Sequence, residues 1–162
     1  MSGLLLLKAA HVLSAAVIFG SGIGIAFFTW FGYRGAMRGG SVEALRSTLR
    51  LTVIADACLT APAVVFQMVS GVALMDAYGW RLLSAWSIAV WSLFALAGAC
   101  WLPVLLIQTE LARASRKAAS TAALPPGFHR MFRWWFALGV VAFAAVIAIY
   151  WLMVAKPLPP AG

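Results

Sequence analysis

The sequence predicts an all-α integral membrane protein, a four-helix bundle with both termini on the non-cytoplasmic side. Three observations carry this. Hydrophobic residues make up 64% of the 162-residue chain and charged residues 10%, against roughly half and a quarter in a soluble domain. The chain therefore has too few polar groups to cover a water-facing surface. Four apolar runs are each long enough to cross a hydrocarbon layer, which takes roughly 20 helical residues. The basic residues gather on alternate connections between those runs. The same composition excludes an ordinary soluble enzyme, a disordered chain and a disulfide scaffold, and residues 1–162 are read as a single transmembrane domain.

The first span is placed at about 4–30, with Lys8 and His11 as its only titratable groups. It is too long for a signal peptide, and no basic side chain precedes it. The second span runs from about 51 to 75 and contains Asp56. The third, about 83–108, has no charge, and the fourth covers about 132–154. These runs are too continuous for barrel strands. The connection 33–50 reads as a Gly-rich basic linker, and 76–82 as a short turn. Residues 110–130 read as a polar helical extension ending in Leu124-Pro125-Pro126-Gly127, and the PLPPAG tail is too rich in proline to be helical.

Four spans place the N-terminus, the 76–82 turn and the C-terminus on one side, with Lys8, Arg81 and Lys156. The other side holds Arg34, Arg38, Arg46, Arg50, Arg113, Arg116, Lys117, Arg130 and Arg133. Nine basic residues against three orient the chain by the positive-inside rule. The net charge of +8 is thus a topology signal rather than a nucleic-acid signal, and the basic connections suit anionic lipid. The expected location is a bacterial inner membrane. Cys58 and Cys100 fall inside apolar runs and read as small apolar residues.

Polar groups inside a span face the bundle, because lipid cannot satisfy them. At 100° per residue, Asp56, Thr60, Ala63, Gln67, Ser70 and Gly71 share one stripe, with Ile54, Cys58, Val65 and Val72 opposite. Such a stripe serves interhelical hydrogen bonding or lines a cavity. On the third span Ser87, Trp91, Phe94, Gly98, Trp101, Leu105 and Gln108 form a second stripe, and Pro103 interrupts the backbone bonding. Trp80, Trp86, Trp134 and Trp135 sit near span ends and read as an aromatic belt, whereas Trp91 and Trp101 lie deeper. In the first span, Ala16, Gly20 and Gly24 make small-xxx-small pairs that permit close helix contact or approach of a flat ligand. Asp56 is the only acid within a span. Its expected partner is Arg133, then Arg50. Asp56, Thr60, Gln108 and Arg133 thus form a structural polar set or a proton pathway.

His11 lies roughly 10 Å into the membrane at 1.5 Å per residue. A neutral imidazole in a helix bundle is a candidate axial ligand for b-type haem; a core histidine bonded to Gln67 or to a backbone carbonyl is the competing reading. Gly20, Gly24, Gln67 and Trp91 are the residues expected beside such a cofactor. His129 precedes the fourth span at the opposite side, so bis-histidine ligation within one chain is not expected. No cysteine, histidine and carboxylate cluster suits zinc.

The segments LKAAHVLSAAVIFGSGIGIAFF, TAPAVVFQMVSGVAL, WLPVLLIQTELARAS and FRWWFALGVVAFAAVIAIYWLMVAKP together resemble the bacterial membrane-protein family called domain of unknown function 2269, over nearly the whole chain. A wider resemblance links the first-span L-K-x-x-H and the terminal Lys156-Pro157 to HemJ-type protoporphyrinogen oxidases and CopD-type copper-resistance proteins. The HemJ resemblance implies a haem ligand at His11. The sequence departs from that group in its Gly-Ser-Gly segment and in lacking a basic residue in the third span. The expected function is a small haem-binding protein for electron transfer or haem-linked redox chemistry. Alternatives are a non-catalytic subunit or assembly factor of a larger membrane complex or homo-oligomer, and a small transporter using Asp56 and Gln67.

Overall fold

A computed structural model describes residues 3–155; the expectations for Lys156 and Pro157 lie outside the described residues. Among the described residues the regular structure is entirely helical. Helix α1 (Gly3–Met37) stops where Gly39 takes φ +105° and the Gly40 N–H returns to the Gly35 carbonyl at 3.1 Å. A side chain at 40 would meet that same carbonyl at 2.7 Å, so the tight exit requires glycine. Ser41 caps α2 (Val42–Ala55) by accepting from the Ala44 N–H at 3.1 Å.

The second span is one continuous rod in three parts. Helix α2 passes through a π-helical turn (Asp56–Thr60) into α3 (Ala61–Ala77). Pro62 gives a reason for the wide turn: it has no N–H to donate, and its ring crowds the carbonyl one turn back. Helix α3 ends at Tyr78 and Gly79, the latter with φ +65°. Helix α4 (Ala85–Lys117) is capped by Ser84 and runs unbroken through Pro103. Helix α5 (Phe128–Val154) completes the bundle.

All four rods are long and apolar enough to cross a membrane. Three of them have 33 to 36 residues, about 50 Å at 1.5 Å per residue against a hydrocarbon layer of about 30 Å. The excess corrects the reading of 33–50 as a linker. Helix continues to Met37 and resumes at Val42, and only a short turn separates the two. The extensions, all at the end with the basic connections, build a helical cap. Its core is Leu45, Leu49, Leu111, Ala112, Phe128 and Phe132, each nearly inaccessible. Tyr33 stacks on Phe132 at 3.7 Å between ring centres. Arg46 ties α2 to the end of α4, donating to the Ser115 and Ala118 carbonyls at 3.0 and 2.7 Å, where a cation also meets the negative helix end.

Away from the cap the bundle divides. Helix α1 packs along α2 and α3, α2 packs on α4, and α4 packs along α5. Helix α3 makes no comparable contact with α4 or α5, so α3 parts from them beyond the π turn, while α1 keeps touching α5 through Phe19 on Phe143 and Tyr150. Within the first half a ladder of side-chain bonds joins α1 to the second rod: Thr29 to Thr52 at 2.6 Å, Ser21 to Thr60 at 3.0 Å, Ser14 to Gln67, and His11 to Ser70 at 2.7 Å. Each step up α1 is matched by an equal step down its partner, as antiparallel register requires.

The close approach of α1 to α2 generates a prediction. A side chain at 32 would come within 2.6 Å of Thr48 Oγ1 and 3.2 Å of its Cβ, whereas one at 20 meets nothing within 4 Å. Gly32→Ala is therefore expected to destabilise the protein by about 1–3 kcal/mol through overpacking. Gly20→Ala should be neutral or slightly stabilising. Thermal unfolding in detergent checks this, and equal midpoints for the two variants would refute it.

Candidate functional site: an intramembrane cavity

The parting of α3 from α4 leaves a cavity of about 850 Å³ between the two halves, within the range typical of small-molecule sites. Its walls are mainly Val, Ile, Phe and Trp side chains from all four rods. Lys8, Tyr78, Trp80 and Trp86 line its rim, at the end opposite the cap, and Asp56, Gln108 and Trp135 line its floor.

One wall carries His11. The Gln67 amide donates to His11 Nε2 at 2.9 Å, and its oxygen accepts from the Ser14 hydroxyl. With Nε2 accepting, the ring proton sits on Nδ1 and is given to Ser70 Oγ at 2.7 Å. Ser70 in turn donates to the Phe66 carbonyl at 2.6 Å. Gly71 faces the imidazole: a side chain there would lie 3.4 Å from His11 Cε1. The chain thus fixes the tautomer whose Nε2 lone pair is available to a ligand once Gln67 moves aside.

The floor is built around Asp56, 3% exposed. Gln108 Nε2 donates to Oδ2 at 2.8 Å, and Trp101 Nε1 donates to Oδ1 at 3.3 Å. Trp135 Nε1 donates to Gln108 Oε1 at 3.3 Å. An indole nitrogen can only donate. Trp135 therefore holds the Gln108 oxygen and turns its amide nitrogen toward Asp56. The expected pairing of Asp56 with Arg133 or Arg50 is not made: both arginines are exposed, and α5 turns Arg133 to the outside beside Arg130 and Trp134. Distance along the rods explains this, because the cap carries the arginines outward past the level of Asp56. Trp135 is also corrected. It is buried rather than part of a belt, while its neighbour Trp134 is 59% exposed.

The two stripes read from sequence are the inner faces. Ala63, Thr60, Ser70 and Asp56 are buried, and Ile54, Cys58, Val65 and Val72 are exposed. Trp91, Phe94, Gly98, Trp101 and Gln108 line the cavity from α4. The first-span glycines do otherwise. Gly20 and Gly24 are exposed and absent from the cavity wall, which Gly22 touches instead, packed 3.5 Å from Phe143. The inward stripe of α1 is His11, Ser14, Ser21 and Thr29, at spacings near whole turns; that signal was present but overshadowed by the glycines. Tyr150 was also missed. It lines the cavity with its ring against Phe19, 5.4 Å between centres, and its buried hydroxyl has no hydrogen-bond partner. His129 is exposed and accepts from or donates to Tyr33 Oη at 2.6 Å at the cap, so the structure keeps the two histidines at opposite ends.

The profile of a family described as predicted integral membrane protein (DUF2269) matches residues 5–157, and the chain belongs to that family. No curated protein and no solved structure matches it.

Gln108 is predicted to be the keystone of the floor. Gln108→Leu removes the donor to Asp56 and the acceptor of Trp135 together, which should cost about 2–3 kcal/mol or more. A thermal-unfolding midpoint indistinguishable from the parent would contradict the relay.

Proposed function

We propose that this member of the DUF2269 family is a small intramembrane ligand-binding protein whose cavity takes a largely apolar molecule from the lipid phase. The observation that supports this most is the cavity itself, about 850 Å³ in volume and lined by mainly apolar side chains, with hydrogen-bonding groups at a few places on its wall. The parting of α3 from α4 gives lateral access. We place the protein in a bacterial inner membrane with both termini outside the cytoplasm, from the nine-to-three distribution of basic residues. The basic cap would then meet anionic cytoplasmic lipid.

Haem b is the specific ligand to test first. The residues fit it: His11 is on the wall, its Nδ1–H is held by Ser70 as in ligating histidines, and Nε2 accepts from the Gln67 amide. Trp91 and Gly71 would border the macrocycle from facing walls. Bound haem would supply one-electron chemistry. The chain's own part is to orient the imidazole and exclude water. The expected result is a Soret band in protein purified after expression with ample haem, abolished in His11→Ala and retained in Gln67→Ala, which uncovers Nε2. Absence of the band in the parent, or its persistence without His11, would remove haem from the proposal.

A second reading has its own observation. Ala16, Gly20 and Gly24 form an exposed small-residue face on α1, the surface through which membrane helices approach closely. This favours a role as a subunit of a larger complex or homo-oligomer. Cysteine cross-linking across position 20 would yield a dimer or a mixed product in that case. Only monomer at all oxidant levels would count against it.

A further inference from the structure

The floor of the cavity has a charge property that the haem reading does not use. Asp56 is 3% exposed, lies well within the second span, and still lines the cavity. Both its oxygens accept hydrogen bonds, from Gln108 Nε2 and from Trp101 Nε1. Neither donor can switch roles. The indole has no lone pair to offer, and Trp135 holds the Gln108 oxygen, which leaves the amide nitrogen toward Asp56. Both carboxyl oxygens of Asp56 therefore face N–H donors.

A carboxyl that is to stay ionised in hydrocarbon requires a compensating positive charge. No lysine, arginine or histidine among the described residues lies within ion-pair distance; the ion pairs found there are Arg46 with Glu43 and Arg113 with Glu110, both in the cap. Lys8, at the rim, is about 25 Å away along α1, counting 1.5 Å per residue from the level of Asp56 between Ser21 and Thr29. Arg50 and Arg133 are exposed on the outside. The open direction from Asp56 is the cavity, whose nearby walls present the indoles of Trp101 and Trp135 and the ring of Phe136. Aromatic faces beside a desolvated carboxylate are the usual recognition chemistry for an organic cation.

We propose that the cavity selects apolar organic cations, with Asp56 supplying the counter-charge. The compensating charge arrives with the ligand rather than with a side chain. This rests on the cavity being a ligand site but not on haem, since haem is read at His11 and cation binding at Asp56.

The test compares tetraphenylphosphonium with tetraphenylborate, ions of one shape and opposite charge. Each is titrated into the full chain in phosphatidylcholine nanodiscs, with empty nanodiscs as the partition control, by equilibrium dialysis and tryptophan fluorescence. The cation is expected to bind saturably and at least about tenfold more tightly than the anion. Asp56→Asn should lose at least about tenfold in cation affinity. That substitution also sets an amide N–H against a donor and can unfold the protein. The swap D56N/Q108E avoids this: the new amide donates to the new carboxylate, which still accepts from Trp135, so charge and bonding are both kept at the floor. The swap should fold and restore cation binding.

Equal binding of both ions would overturn the charge selection while leaving the ligand cavity intact. Binding of neither would overturn both readings. Unchanged cation affinity in Asp56→Asn, or a folded swap that does not bind, would overturn the role of Asp56.

Discussion

A carboxylate placed inside a membrane span must be satisfied by whatever the bundle can bring to it, and in this protein Asp56 is satisfied by α4. Gln108 and Trp101 reach it from one turn-spaced face of that helix, and Trp135 of α5 fixes Gln108 from behind. Three helices are thereby joined at one level. That level coincides with the π turn at Asp56–Thr60 and with the last close contact between the second span and α4. Below it the helices pack into the cap; above it α3 separates from α4 and α5. The relay and the bulge together decide where the bundle ends as a packed object and where it becomes a container.

The division of labour follows from what a bilayer can and cannot do. In water, apolar helix faces are driven together; in lipid, that drive is absent, and packing, hydrogen bonds and small residues must hold helices. The protein puts its best-packed core in the cap, with Leu45, Leu49, Leu111 and Phe128 almost wholly inaccessible. Inside the membrane it relies on a hydrogen-bonded ladder between α1 and the second rod, and joins the α4–α5 pair to it only through aromatic contacts of α1 with α5. A cavity can persist because the cap, not mutual contact along the whole length, sets the spacing of the helices.

Much of this was readable from residue order. The four spans follow from run length, and the inward stripes on the second and third spans follow from 100° periodicity, because polar residues in lipid have only one direction in which to point. Where the structure differs, each difference has its own physical reason. The Asp56–arginine pairing was argued from charge alone. It ignored that the helices continue past the membrane and carry Arg50 and Arg133 with them, so the partner turned out to be the neutral Gln108. Trp135 was assigned to a belt by its distance from a span end, but α5 begins at Phe128, which places Trp135 two turns inside the helix. On α1 the glycines were read as the contact face because they permit contact. Permission is not attraction, and the serines and threonines that make bonds lie on a different side. The π turn was foreshadowed only by Pro62, and a single proline does not distinguish a kink from a bulge.

The two ends of the cavity impose opposite demands on any occupant. At the His11 end His11, Ser14, Gln67 and Ser70 are bonded to one another within the α1–α3 wall, so a ligand must displace Gln67 to reach the imidazole. At the Asp56 end the hydrogen bonds are also complete, but the charge is not balanced by a side chain within reach. Hydrogen bonds can be satisfied by neutral dipoles at short range; a net charge in a low-dielectric surrounding cannot, because its field extends beyond the first neighbours. The Tyr150 hydroxyl, buried without a partner on the far wall, adds a hydrogen-bonding demand that is not met either. A molecule that enters from the membrane, fills apolar volume, offers one polar group to Tyr150 and brings a positive charge to Asp56 would leave no buried group wanting. The charge placed at the floor thus constrains the proposed ligand more sharply than the shape of the cavity does.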